Sequence, residues 1–311
     1  MKPGIYRDFD GAAYFADPCP EPSLTQSIAK VIVEKSALHG MWEHPRLAPP
    51  QTEDEEAEKY VKAQAIGNAA HKLMLGRGKD IAVLDFKDFK TKVAQEARAA
   101  AEANGHVPIL SKHMARAELM VESGRKQLAV HEDSDAFTNG AGEVMICWQE
   151  DGLWFRSLID WLHDDLRTVD DYKTGGVSVA PHVLGARAEA AGWHIQAAMI
   201  ERGLDVLAPE TAGRRRYRFI GQENEQPFAL SVMHMNEHWL TMGRKQLDYA
   251  VNVWRQAMQT GVWEGYPRRG IAPDFPGYRE SVWLEREIQY ADENERLITK
   301  PNRMLTSLMG G

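Results

Sequence analysis

Residues 142–174 restrict what this chain can fold into more than any other stretch. Three short β-prone segments, 142–149, 153–162 and 167–174, follow one another with turn signals between them. Asp151-Gly152 is a hairpin dipeptide, since both residues tolerate the positive φ that a two-residue connection needs. Asp164-Asp165 marks the second turn. The pattern predicts a three-strand meander. Around it the period is helical. Ser23 and Thr25 offer N-caps for a helix to about Leu38. An acidic segment at 53–58 suits the first turns of a helix that runs to about Leu75 and is stopped by Gly76 and Gly78. Helices are expected at 88–103, 111–130, 181–203 (closed by Gly203) and 237–260 (ended by Gly261), with further strands at 214–220 and 227–235. Residues 1–22 read as an irregular N-terminal arm, and about 267–311 as an irregular tail with one short helical stretch. This order predicts an α/β (α+β) fold, a mixed central sheet with an antiparallel meander flanked by helices, in a single domain over 1–311.

The second and third segments carry the chemistry. Residues i and i+2 of a strand share a face, so Asp171 and Lys173 project together while Tyr172 points the other way. Asp160 lies eleven positions before Asp171 in an apolar strand, among Leu158, Ile159, Trp161 and Leu162, where an uncompensated carboxylate is costly. A hairpin of that length sets Asp160 beside Asp171. Two carboxylates that close repel each other, and one pKa rises unless a cation neutralises them. Oxygen donors with few nitrogens suit Mg²⁺, with Mn²⁺ as a substitute. Mg²⁺ keeps several waters, one of which can be a nucleophile. Lys173 is placed to orient or deprotonate that water, or to stabilise charge on phosphorus.

Composition sets limits on this reading. The chain has 311 residues, 43% hydrophobic and 26% charged, the balance of a soluble globular protein. No apolar run reaches the roughly 18–20 residues of a membrane span. The first ten residues carry Arg7, Asp8 and Asp10 and no apolar core, so a secretory signal is not expected. Two cysteines, Cys19 and Cys147, make no disulfide framework and cannot hold an iron–sulfur cluster, which takes about four. A cytoplasmic location is expected. A net charge of −8 excludes a protein that coats nucleic acid through overall charge, but not an enzyme with a local basic groove around an acidic metal site.

Four segments in order then carry a resemblance: Gly67-Asn-Ala-Ala-His71-Lys-Leu-Met-Leu75, Ser157-Leu-Ile-Asp160, Asp170-Asp171-Tyr172-Lys173-Thr174 and His194-Ile-Gln196-Ala-Ala-Met-Ile200. Ser23-Leu-Thr-Gln-Ser27, His44-Pro45, Phe219-Ile-Gly-Gln222-Glu223 and Pro227-Phe228 extend it, and it covers roughly residues 5–270. The set resembles the PD-(D/E)XK nuclease superfamily, and within it the exonuclease VIII (RecE-like) branch, with lambda exonuclease and the RecB nuclease domain as relatives. The resemblance implies that Asp160 and Asp171 bind the metal directly, with the Tyr172 main-chain carbonyl as a further ligand. Lys173 would act on the attacking water, and His71 would be an additional ligand or orient one. Gln196 matches the Gln of the family's Gln-x-x-x-Tyr helix motif and joins the catalytic set, although Ile200 stands where the Tyr is expected. Glu143 occurs where relatives place an acidic residue near the metal, and equally reads as a hairpin-edge carboxylate. Thr174 and Ser27 are candidate DNA contacts. The implied activity is Mg²⁺-dependent hydrolysis of one strand of linear double-stranded DNA from an end, 5′ to 3′, in phage-type recombination or repair. The implied partners are duplex ends, a RecT-like annealing protein, and further copies of the chain in a trimer or tetramer.

Other motifs compete. His234, Glu237 and His238 spell H-x-x-E-H, an inverted zinc-peptidase motif. A zinc site needs both imidazoles on one helical face, whereas the alternation of Phe228, Leu230 and Val232 carries His234 to a strand end and Asn236 reads as an N-cap. A non-catalytic DNA-binding subunit that keeps the nuclease fold is a third reading. The run Arg214-Arg-Arg-Tyr-Arg218 is either a phosphate-contacting edge, through Arg214 and Arg216, or an exposed strand with solvated arginines.

Overall fold

Turn chemistry builds the largest hairpin of the molecule. In the computed structural model, which describes residues 1–9, 11–49 and 57–299, Asp151 and Gly152 both adopt positive φ, 49° and 80°, and join two eleven-residue strands. The strands are β1 (Gly4–Tyr6), β2 (Ser23–Leu24), β3 (Ile81–Leu84), β4 (Val107–Leu110), β5 (Gly140–Glu150), β6 (Leu153–His163), β7 (Thr168–Gly175), β8 (Arg216–Glu223) and β9 (Leu230–His234). The helices are α1 (Gly11–Phe15), α2 (Gln26–Glu34), α3 (Ala37–Trp42), α4 (Ala57–Leu75), α5 (Lys92–Ala103), α6 (Ser111–Ala129), α7 (Pro181–Ala191), α8 (Trp193–Leu207), α9 (Glu237–Thr260) and α10 (Gly277–Thr299).

The chain divides into two compact units, Met1–Tyr266 and Pro267–Gly311. The second holds α10, whose 23 residues make it longer than the short helical stretch expected in the tail. The N-terminal arm is also more regular than expected: β1 pairs with β5, and β2 with β6. Most of the acidic segment at 53–58 lies outside the described residues.

The main sheet runs β1-β5-β6-β7-β8-β9, and it is mixed. β5, β6 and β7 form the antiparallel meander. β7 and β8 are parallel over eight pairs and are connected through α7 and α8. β3 and β4 form a separate two-stranded parallel sheet.

The main sheet forks at its centre. β6 and β7 share only two register pairs, Trp161 with Asp170 and Leu162 with Val169. Beyond them β7 stays with β8, while the free edge of β6 is taken by β2 at Trp154 and Phe155. Alternation in the β5–β6 hairpin breaks at the same level. Ile159 and Leu162, three apart, face one core, as do Ala141 and Val144. Glu143 and Asp160 sit opposite each other within these steps and are left out of the ladder. Glu143 has φ 51°, a left-handed conformation that a residue with a Cβ adopts at a cost.

One face of the sheet packs on α2, α8 and α9 through Ile146, Trp148, Phe155, Ile195, Met199, Leu247 and Trp254. On the other face Tyr172 and Ile220 pack on Met74 of α4 and Met120 of α6. Burial of such side chains contributes on the order of 1.5–3 kcal/mol each. α8 and α9 meet at backbone level: a methyl on Gly243 would collide with the His194 carbonyl oxygen. The helix expected at 181–203 is two helices, broken at Gly192 with φ 73°. Gly203, expected to close it, lies inside α8, where a Cβ would strike the Trp148 ring. The stretch expected as one helix to Leu38 likewise divides into α2, capped by Thr25, and α3, capped by Ser36.

Candidate active site

The fork brings together residues that lie far apart in sequence. Where the next β6–β7 ladder bond would fall, the Tyr172 N–H donates instead to Asp160 Oδ2 at 2.9 Å. Asp171 and Lys173, one residue to either side of Tyr172, share a face, and Lys173 Nζ is 2.6 Å from Asp171 Oδ1. Gln196 reaches in from α8. Its side-chain N–H donates to Asp171 Oδ2, and its Oε1 accepts from Lys173 Nζ at 3.0 Å. The lysine is thus held between a carboxylate and an amide.

His71 approaches from the other side. Gly67, one turn earlier on α4, lets the helix come close to β7; a Cβ there would stand 3.3 Å from Thr174 Oγ1. His71 Nε2 is 2.6 Å from the Tyr172 carbonyl oxygen and 3.7 Å from Asp160 Oδ2. Its ring packs on the Tyr172 ring at 5.3 Å.

The charge balance is unusual for a buried cluster. Asp171 is 2% exposed. Burial, and then the charge of Asp160, push its pKa up to about 6 against the pull of Lys173. Burial opposes the charge on Lys173, yet Asp171 and Asp160 more than offset it and raise its pKa. Burial and the Asp160 carboxylate also raise the pKa of Glu143. Three carboxylates therefore share one neighbourhood with too few cations.

Among the described residues no three His, Cys, Asp or Glu side chains form a ready metal-binding group, and Asp171 is engaged by Lys173 and Gln196. The Asp160 carboxylate, the Tyr172 carbonyl and His71 Nε2 do converge. Asp171 Oδ1 is buried and accepts no well-aligned hydrogen bond, only the ammonium beside it. Oxygen donors with surplus negative charge fit such a cation.

A cleft of about 710 Å³ opens beside this cluster. Asp160, Lys173 and Gln196 line one wall; Thr25, Gln26, Ser27 and Lys30 of the β2–α2 segment line another. Ser27 is therefore brought to the site. Arg156 fastens that wall to β6: its guanidinium donates to the Tyr14 and Ser23 carbonyls, both at 3.1 Å, and pairs with Asp17 at 3.1 Å. His44, matched in sequence without a role, is buried and 3.0 Å from Asp17. Sequence reasoning missed Arg156. Its signal was a cation inside the apolar run of β6, as informative as the carboxylate four residues later.

The arginine run is not brought to the site. In the β7–β8 register Arg216 stands opposite Thr168 and Gly221 opposite Lys173, five residues or roughly 16 Å along the strand. Arg216 donates to Thr168 Oγ1 at 3.2 Å, and Arg214 to the Glu210 carbonyl. Arg218 is not solvated at all: at 1% exposure it donates to Asp170 at 2.6 Å and to Asp135 at 2.5 Å. The phosphate-contacting edge expected of Arg214 and Arg216 thus stands away from the cleft: parallel pairing with β7 fixes the height of Arg216, and Arg214 precedes β8.

The zinc motif is also dispersed. His234 ends β9 and bonds Asp133 at 2.8 Å. Asn236 caps α9, and Glu237 pairs with Arg244 at 2.6 Å. His234 and His238 therefore share no helical face. Ile200 is buried in the core rather than at the cleft, so an apolar residue suits its position. No helix among the described residues is long and apolar enough to cross a membrane.

No curated protein matches the chain in sequence. A crystal structure from Eubacterium rectale, described as a candidate exonuclease, superposes with a TM-score of 0.52 at 10% identity, covering 86% of this chain and 96% of its own. That likeness shows a common fold. The family model for a PDDEXK-like domain of unknown function, DUF3799, matches residues 42–268, and the chain belongs to that family.

Proposed function

We propose that the protein is a divalent-metal-dependent deoxyribonuclease that digests linear double-stranded DNA from its ends. The observation that carries this reading is the half-buried Asp160 and the buried Asp171 at the fork, with Lys173 2.6 Å from Asp171 and lining the same open cleft as Asp160. A phosphodiester is cleaved by in-line attack of water, and the groups needed are a hard cation, a residue that controls the water, and an open approach.

Asp160, Asp171 and the Tyr172 carbonyl would hold the cation, Mg²⁺ or Mn²⁺ by their oxygen chemistry. When bound, it polarises the phosphate and lowers the pKa of a coordinated water. His71 either ligates through Nε2 or, by donating to the Tyr172 carbonyl at 2.6 Å, orients that ligand. Lys173 presents an ammonium with its position fixed by Gln196 and Asp171. It orients the attacking water or neutralises charge gathering on phosphorus. Gln196 acts through Lys173 and Asp171. Glu143, facing Asp160, adds negative potential and is the candidate for a further ligand. Ser27 lines the cleft and borders the approach of the DNA backbone, whereas the Thr174 hydroxyl faces Gly67 of α4 and would contact DNA only from beside it.

Resemblance extends the proposal to 5′ to 3′ polarity, a role in recombination or repair, a trimeric or tetrameric ring around DNA, and transfer of the remaining strand to a RecT-like annealing protein. Strand-specific end labels, light scattering and pull-down with a single-strand annealing protein test these in turn. The central test is linear duplex DNA with Mg²⁺. The protein should digest it, EDTA should stop digestion, and Lys173→Ala should be inactive. A closed circle should survive. Undiminished digestion by Lys173→Ala would remove the lysine from the mechanism. No digestion with Mg²⁺ or Mn²⁺ would leave a DNA-binding subunit without catalysis.

A further inference from the structure

The mouth of the cleft carries an aromatic side chain that the chemistry above does not use. Of the aromatic residues lining the cleft, Tyr14 and Trp193 are buried, while Phe15 is 57% exposed. Phe15 is the last residue of α1. It meets Tyr14 edge-on, with ring centroids 5.3 Å apart. Lys79 Nζ lies over its ring, 5.3 Å from the centroid.

Both residues are tied to the catalytic end of the molecule. α1 begins at Gly11, where a Cβ would stand 3.7 Å from Glu143 Oε2, and the loop that carries Lys79 passes the same carboxylate at Gly78, 3.2 Å from Oε1. That loop follows α4, the helix that bears His71. An exposed phenyl is ordinary on its own. An exposed phenyl with a cation on its ring, lining the same cleft as Asp160 and Lys173, matches the chemistry of a nucleotide. A base has a π-face, which stacks on an aromatic ring whatever its sequence, and its phosphate is an anion.

We propose that Phe15 stacks a base of the DNA strand lying in the cleft, with Lys79 set to receive an adjoining phosphate. This rests on the nuclease reading and adds a binding determinant to it. The same wall carries Thr25, Gln26, Ser27 and Lys30, whose polar or charged side chains suit the backbone, beside the apolar Ile28 and Val31. Stacking of this kind is indifferent to sequence and depends on an unpaired base, so the site favours a strand already parted from its complement.

The experiment uses the full chain with Lys173→Ala to prevent cleavage, Mg²⁺ present, and a duplex whose frayed end carries 2-aminopurine. Binding should quench the 2-aminopurine. With Phe15→Ala the quench should vanish and affinity by anisotropy should fall roughly tenfold. Phe15→Trp should restore both. In the Phe15-containing protein an abasic site at the same position should cost a similar factor, and it should cost nothing further in Phe15→Ala. Thermal unfolding of Phe15→Ala should match the parent, since the side chain is exposed. Quenching and affinity retained in Phe15→Ala, when the chain with Lys173 intact cuts DNA, would overturn the stacking role alone. No binding of the duplex by the parent protein would overturn the stacking role and the nuclease reading together.

Discussion

Asp170 and Asp171 are neighbours on one strand, equally buried, and the sheet gives them opposite fates. Asp170 points to the α4–α6 side into a closed network. Arg218 bonds both oxygens of its carboxylate, at 2.6 and 3.0 Å, His163 bonds it at 2.7 Å, and the Phe137 N–H adds a fourth bond at 2.9 Å. Burial alone would raise its pKa, but the bonds from His163 and Arg218 overcome this and hold it below the ordinary value. Asp171 points to the α8 side, where one lysine and one amide face two carboxylates, and its pKa goes up. The comparison teaches that buried charge by itself marks nothing. A carboxylate whose partners satisfy it is architecture, and one left with uncompensated charge in a cleft is a candidate for chemistry.

Substitutions can break or sharpen this contrast. The largest expected effect is on catalysis. Asp171→Asn and Lys173→Ala should each lower the rate of duplex digestion by on the order of a thousandfold, measured with end-labelled DNA at saturating Mg²⁺. Arg218→Met should act on stability instead. It strips the buried Asp170 and Asp133 of their common cation and should cost about 3–5 kcal/mol in denaturant unfolding. If Arg218→Met abolishes digestion at full stability, the division of roles is wrong.

The next effect is smaller and opposite in sign. In metal-free protein the folded pKa of Asp171 lies above its unfolded value. Its contribution to stability is therefore complete below about pH 4 and lost as pH rises through about 6. Asp171→Asn should then stabilise the metal-free chain at pH 7 by roughly 2–3 kcal/mol, and Mg²⁺ should reduce that gain. Asp170 behaves conversely. Its folded pKa is depressed, so its contribution is present above the ordinary carboxylate range and lost as pH falls below it. Urea midpoints measured from about pH 2 to 7 for the parent, Asp171→Asn and Asp170→Asn test both signs. The smallest effect is expected at Arg216→Ala, at the far end of β8, where DNA affinity by anisotropy should change less than about twofold.

Local signals in the sequence served well wherever the cause is local. The Asp151-Gly152 turn, the α9 stop at Gly261 and the shared face of Asp171 and Lys173 follow from neighbouring residues. Where cause is distant, the sequence misled or was silent. Gly203 reads as a helix stop, yet it is a packing contact with Trp148 on β5. The pairs β1–β5, β2–β6 and β3–β4 involve strands of two to four residues, too short to show a period. The arginines of 214–218 look alike in sequence, and only the register with β7 separates the buried Arg218 from the peripheral Arg216. The ordered motifs placed His71 and Gln196 next to the carboxylates, but neither the cleft wall held by Arg156 nor Phe15 is visible without the fork.

Gly243 has a consequence beyond packing. It lies on α9, touches neither cleft nor metal donors, and lacks the one methyl that would strike His194, two residues before Gln196. The height of the Gln196 amide above β7 is thus set from behind, by an absence on another helix. A Gly243→Ala protein would bear its lesion in the scaffold and express it as a slack lysine. In a screen it would be grouped with the catalytic variants, so phenotype and location would part company.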